Sequence, residues 1–144
     1  MVRLSTNNGK AKPLIYVVAA LIWQNDRFLA CHRTSQKLHG NKWEFVGGKI
    51  EAGESPKDAL KRECREELKI EVDPIDVFVE TEYEYPDMKI HMTVINTKIV
   101  SGVPQLTEHD NMKWISVTDI SKYDFSYADC AIIEKIQRCF GGNR

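Results

Sequence analysis

One stretch, Gly47 to Ile70, GGKIEAGESPKDALKRECREELKI, limits the fold of this chain more than any other. Ser55-Pro56 opens a helix there. Serine is a favoured N-cap, and proline is tolerated at the first helical position, where its missing N–H would be unpaired anyway. Asp58 suits the positive end of the helix dipole. The spacing predicts a helix to about Lys69. At about 100° per residue, Leu60, Cys64 and Leu68 form one apolar stripe that faces a core. Lys61, Arg65 and Lys69 lie beside it as a solvated basic flank. Glu63, Glu66 and Glu67 fall together on the other flank at i, i+3 and i+4, with no cation among them on the wheel. Like charges so placed cost roughly a few tenths of a kcal/mol when exposed, and more when partly buried.

Two readings compete for this patch. One is a solvated acidic face relieved by neighbouring Lys and Arg. The other is a hard-cation site, since Mg²⁺ takes oxygen ligands, keeps several waters and needs only a few carboxylates plus substrate phosphates. The surroundings favour the second. A Gly-rich loop precedes the helix, Glu54 sits just before it, and Arg62 can reach back to hold a carboxylate in a forked pair.

The rest of the chain supplies strands. Leu14 to Trp23 reads as a central strand buried on both faces. It is far short of the roughly 20 apolar residues of a membrane span, and no small-residue cleavage site follows it. Gln24-Asn25-Asp26 is a turn, and Arg27 to Arg33 returns as a second strand. Thr34 to Lys42 is a loop. Trp43 to Val46 is a short strand stopped by Gly47-Gly48. Val72 to Tyr85 and Lys89 to Val100 flank the hairpin signal Pro86-Asp87. Met112 to Val117 is a further strand. Asp129 to Phe140 carries Ile132, Ile133, Ile136 and Phe140 on one helical face, ended by Gly141-Gly142. Residues 1–12 are polar and read as a loosely held, flexible segment ahead of a single domain over 13–144. Strands mixed with two main helices predict an α/β domain with a mixed sheet between helices.

Bulk properties narrow the function classes. With 144 residues and a net charge of -1, the chain has room for one core and no basic field for a nucleic acid polymer. Cys31, Cys64, Cys130 and Cys139 match neither a zinc site nor a short disulfide framework. They read as buried or half-buried free thiols in a reducing, cytoplasmic setting.

The box residues Gly48, Glu54, Arg62, Glu63, Cys64, Glu66, Glu67 and Ile70 resemble the Nudix signature: a Gly, five residues, a Glu, seven residues, then Arg-Glu, an apolar residue, any residue, Glu-Glu, any residue, Gly and an apolar residue. Lys69 replaces the late Gly, which puts the helix C-cap geometry in question, and Cys64 is a mild variation. The likeness extends from about Ile15 to Phe140, through Trp43-Glu44-Phe45-Val46, Tyr83 to Asp87, Glu108 before Trp114, and Asp124 to Asp129, all similar to MutT-type members.

The resemblance implies an α/β/α sandwich around a mixed sheet and an enzyme cutting phosphoanhydride bonds. Water would attack within a polyphosphate, releasing a nucleoside monophosphate and pyrophosphate. Glu63, Glu66 and Glu67 would hold Mg²⁺, with Mn²⁺ as a substitute, and the Gly48 carbonyl and Glu108 would add ligands. Metal ions would offset the charge of the phosphate chain. Arg62 joins the catalytic set, and the general base stays open among Glu63, Glu66 and Glu108. Arg33 and Lys49 would meet phosphate, although Arg33 equally suits a surface strand end. Phe45 and Tyr85 would pack on the base, although plain core packing serves them nearly as well.

Asp129 aligns with an Asn of the 8-oxo-guanine enzymes. An ionised Asp only accepts hydrogen bonds, which suits an exocyclic amine such as cytosine N4. The expected substrate is therefore CTP or a modified cytosine nucleotide, with 8-oxo-dGTP as the alternative. A simpler role for Asp129 is to cap the last helix. Two further alternatives are a nucleotide sugar, disfavoured because those members dimerise through extra N-terminal structure, and a non-catalytic nucleotide-binding module, disfavoured by the intact acidic cluster. The expected partner is a free nucleotide, with no membrane and no nucleic acid polymer, and the expected state is a monomer or weak homodimer.

Overall fold

A computed structural model describes residues 2–7 and 10–141. Its elements in chain order are strands β1 (Val2–Asn7), β2 (Lys10–Gln24), β3 (Arg27–His32), β4 (Trp43–Glu44) and β5 (Gly47–Lys49), helix α1 (Pro56–Leu68), strands β6 (Glu71–Glu84), β7 (Lys89–Ser101) and β8 (Asn111–Ser116), and helix α2 (Cys130–Ile136). One mixed sheet joins all eight strands, with the path β4-β3-β2-β7-β6 and with β1, β5 and β8 alongside. The long β2 is its spine. It pairs parallel with β7, Leu14 opposite Lys89 through Ile22 opposite Thr97, and antiparallel with β5 and, at its far end, with β3.

The two faces of β2 explain the layering. Val18, Ala20 and Ile22 point to one side and pack with Leu60, Cys64 and Leu68 of α1. Ala19 and Leu21 point to the other and pack with Phe28, Ile132 and Ile136. Alternation along a strand sends successive side chains to opposite faces, so a continuously apolar strand requires cover on both. The helices supply it, giving an α/β/α sandwich. Each fully buried Leu or Ile contributes roughly 1.5–3 kcal/mol by leaving water.

Four local features depart from the sequence expectations. Residues 2–7 form a strand whose partners run from Lys10 to Ile15. Gly47 and Gly48 do not stop a strand but belong to β5. A side chain at Gly47 would put its first carbon 1.9 Å from the Val18 carbonyl oxygen, so glycine here permits close approach of two backbones. The last helix is shorter than 129–140: α2 ends at Ile136 and residues Gln137–Gly141 widen into a π turn. Cys31 and Cys64 are buried as expected, but Cys130 and Cys139 are exposed.

Candidate active site

The acidic helix behaves as the wheel requires. Ser55 Oγ accepts from the Asp58 N–H at 3.1 Å, and Pro56 takes the first turn. Leu60, Cys64 and Leu68 are fully buried. That orientation leaves Glu63, Glu66 and Glu67 on the rim of a cleft of about 240 Å³, whose other walls include Glu108, Arg33 and Lys37. Gly48 makes the packing possible: a carbon added there would lie 2.2 Å from Glu63 Oε2. Glu66 is 58% exposed, while Glu63 and Glu67 are largely covered. Burial, followed by the hydrogen bond and charge of Glu63, holds the Glu67 carboxyl well above the usual carboxylate range. Glu108 reaches the cleft from the β7–β8 loop, where Lys37 Nζ donates to it at 2.8 Å.

Arg62 lies behind these carboxylates rather than on the cleft wall. Its Nε and Nη2 donate to the two oxygens of Glu54 at 2.7 and 2.9 Å, a forked pair. This pairing lowers the Glu54 pKa to about 2. Nη2 also donates to the Lys49 carbonyl at 3.0 Å, and Nη1 to Glu63 and Glu66 at 3.2 and 3.3 Å. The patch thus has a cation within reach after all, because the long arginine spans an arc the wheel assigns to glutamates. Arg62 positions the acidic residues and ties the Gly-rich loop to α1.

A second cleft, of about 420 Å³ and mainly apolar, adjoins the first; Arg33, Glu44 and Gly47 line both. Phe45 stacks between Phe28 and Phe125, with centroids 5.6 and 5.9 Å away. It is both core and pocket wall. Tyr85 faces the pocket and stacks on His39 at 4.0 Å. Lys49 and Gly48 sit at the pocket edge. Arg33 donates its Nε to the Leu38 carbonyl at 2.8 Å and points Nη1 toward Glu44 at 3.6 Å.

Asp129 lines the apolar cleft and is 3% exposed. It is carried there by the 124–126 segment, which hydrogen-bonds to both sides of Trp43. It stands at the N-cap of α2, yet its side chain makes no cap hydrogen bond. Oδ2 instead accepts from the Phe45 N–H at 3.3 Å. The capping role is thus not how this carboxylate is used. Burial, with Glu44 adding to it, pushes its pKa up to about 7.

The NUDIX domain family model matches residues 13–134. The chain belongs to the Nudix family. This Nudix hydrolase is 34% identical to the CTP pyrophosphohydrolase of Escherichia coli K12, over 84% of this chain and 90% of that one. It is 32% identical to the 8-oxo-dGTP diphosphatase of the same organism, over 88% and 98%. Its fold is similar to that of the MutT protein from Methanosarcina mazei, with a TM-score of 0.79 and 29% identity, covering 88% of this chain and 95% of that one.

Nudix hydrolases use divalent cations. Among the described residues no three His, Cys, Asp or Glu groups converge into a ready-made cage. The cleft nevertheless offers only hard oxygen donors from α1, and burial disfavours the charged form of the Glu67 carboxylate, a cost that a bound cation would offset. That fits an ion such as Mg²⁺, which binds through one or two carboxylates and completes its shell with water and phosphate oxygens. Three polar residues of this cleft escape the sequence reading, one of them Lys37, which pairs with Glu108. Glu44 lies at the junction of the two clefts, and His109 lies beneath Glu67. Both come from elements distant from α1 in the chain, and only the position of His109 next to Glu108 hints at it.

Proposed function

We propose that this Nudix hydrolase is a Mg²⁺-dependent nucleoside triphosphate pyrophosphohydrolase, converting a nucleoside triphosphate and water to a nucleoside monophosphate and pyrophosphate, with preference for CTP or a modified cytosine nucleotide. The acidic cleft takes the phosphate chain and the apolar cleft takes the base. Phe45 and Tyr85 line the base cleft and give it apolar walls, and Arg33 and Lys49 bring positive charge to the phosphates. A divalent cation bound among Glu63, Glu66, Glu67 and Glu108, with the Gly48 carbonyl beside them, supplies neutralising charge to the polyphosphate. One of Glu63, Glu66 and Glu108 takes the proton of the attacking water. Glu66 and Glu108 face solvent and are accessible to it, whereas Glu63 is largely covered.

The observation that carries the base preference is Asp129: a buried carboxylate, not spent on capping, at the wall of the base cleft. Ionised, it only accepts, which matches cytosine N4. The similarity to a protein named CTP pyrophosphohydrolase supports the same reading. One feature favours 8-oxo-dGTP as a second reading. With a pKa of about 7, Asp129 is partly protonated at neutral pH, and a protonated carboxyl both donates and accepts, as an Asn does. A panel of normal and oxidised nucleoside triphosphates and nucleotide sugars, ranked by kcat/KM with Mg²⁺, tests the proposal. CTP or a modified cytosine triphosphate should lead, and its advantage over 8-oxo-dGTP should grow as pH rises through about 7. An 8-oxo-dGTP preference at every pH would replace the cytosine reading, and no turnover of any substrate would leave a binding module.

A further inference from the structure

We propose that His109 is a positioning residue of the acidic cleft, its ring N–H fixing Glu44 while the ring itself backs Glu67. The proposal deepens the cation-site reading and rests on it.

The His109 side chain is 5% exposed. Its Nε2 lies 2.9 Å from Glu44 Oε2. A carboxylate only accepts, so the ring hydrogen belongs on Nε2. Nδ1 has no hydrogen-bond partner and stands 3.7 Å from Glu67 Oε1. The imidazole therefore fills the space between a carboxylate on β4 and one on α1, touching the first and facing the second.

The segment that carries it is clipped down on two sides. Thr107 Oγ1 donates to the Glu67 carbonyl at 2.6 Å, and the Gln105 N–H donates to the Leu68 carbonyl at 2.9 Å. Carbonyls in the last turn of a helix lack intrahelical partners, so these bonds also finish α1. On the other side the Asp110 N–H donates to the His32 carbonyl at 3.2 Å, and Glu108 pairs with Lys37. One anchored loop thus delivers Glu108 to the cleft rim and His109 to its floor. The hydrogen bond to Glu44 holds the ring in place, and the ring is the outer-shell packing behind Glu67; losing outer-shell support of a metal-holding carboxylate typically weakens metal affinity or activity by about 10–100-fold.

Two substitutions separate the N–H from mere bulk. His109→Gln can place an amide donor where Nε2 is, whereas the shorter side chain of His109→Asn falls short of Glu44. Mn²⁺ alone is titrated into the purified full chain by calorimetry, and metal activation of turnover is measured in parallel. His109→Asn should bind Mn²⁺ at least about 10-fold more weakly than the native chain, and His109→Gln should recover most of the loss. Native affinity in His109→Asn, or equal losses in both variants, overturns the proposal while leaving the cation site standing. No Mn²⁺ binding by the native chain overturns the cation-site reading and this one with it. If His109→Asn proves unstable, Thr107→Val loosens the same loop without altering the ring; weaker Mn²⁺ binding is then expected, and native affinity contradicts the proposal.

Discussion

Among single residues, Asp129 concentrates a cost, a carboxyl buried in the wall of the apolar cleft. Its pKa stands near 7 when folded and close to 4 in an unfolded chain. A carboxyl whose folded pKa is raised contributes its stability fully below the unfolded pKa and loses it as pH climbs through the folded one. Asp129→Asn should therefore be more stable than the native chain at pH 8, by on the order of 2–4 kcal/mol at ~1.4 kcal/mol per pH unit, and should show little gain at pH 4. Denaturant unfolding at the two pH values measures this; an equal difference at both would mean that the carboxylate is comfortably solvated. The same substitution should move substrate preference away from cytosine. Asp129 could be singled out in the sequence because one resemblance marked the position. The pairing of Glu44 with His109 could not, although Glu44 lies in the MutT-like stretch 43–46, because it spans 65 residues of chain and exists only once β4 and the β7–β8 loop have met.

At the scale of elements, α1 was the most legible part of the molecule. A 3.6-residue apolar period, a Ser N-cap and Pro in the first turn are local signals that need no tertiary context. Its C-terminus is where local preference is overridden. Lys69 adopts φ 59° and ψ 37°, a left-handed conformation that a Gly would take without strain, and its N–H still reaches back to the Arg65 carbonyl. Lys69→Gly should stabilise the fold by about 1 kcal/mol, raising Tm by about 2–4 °C. An unchanged or lower Tm would mean that the lysine side chain offsets its backbone strain. The Gly47-Gly48 pair is misread from sequence for the opposite reason. Glycine signals breaks in general, but here it permits β5 to approach β2 and α1, and nothing in the sequence near it names those partners.

At the scale of the whole molecule, the sandwich was readable because β2 is apolar on both faces and must be covered twice, while the adjoining of two clefts was not, since it depends on how β3, β4 and α1 converge. The burial pattern also divides the thiols. Desolvation pushes Cys31 and Cys64 up to about 12, and both are enclosed by the α1 side of the core. Ellman's reagent should modify two thiols in the native protein, Cys130 and Cys139, and all four in denaturant; four fast thiols in native buffer would contradict this packing. If the α1 carboxylates serve hydrolysis of a nucleotide polyphosphate, turnover depends on Glu66. Product release from CTP with Mg²⁺, followed for the native chain and for Glu66→Gln, tests it most directly. Pyrophosphate is the expected inorganic product, with a fall in kcat of about 10²–10⁴-fold in the variant while its fold stays intact; inorganic phosphate as the only product, or native turnover by Glu66→Gln, would overturn this reading.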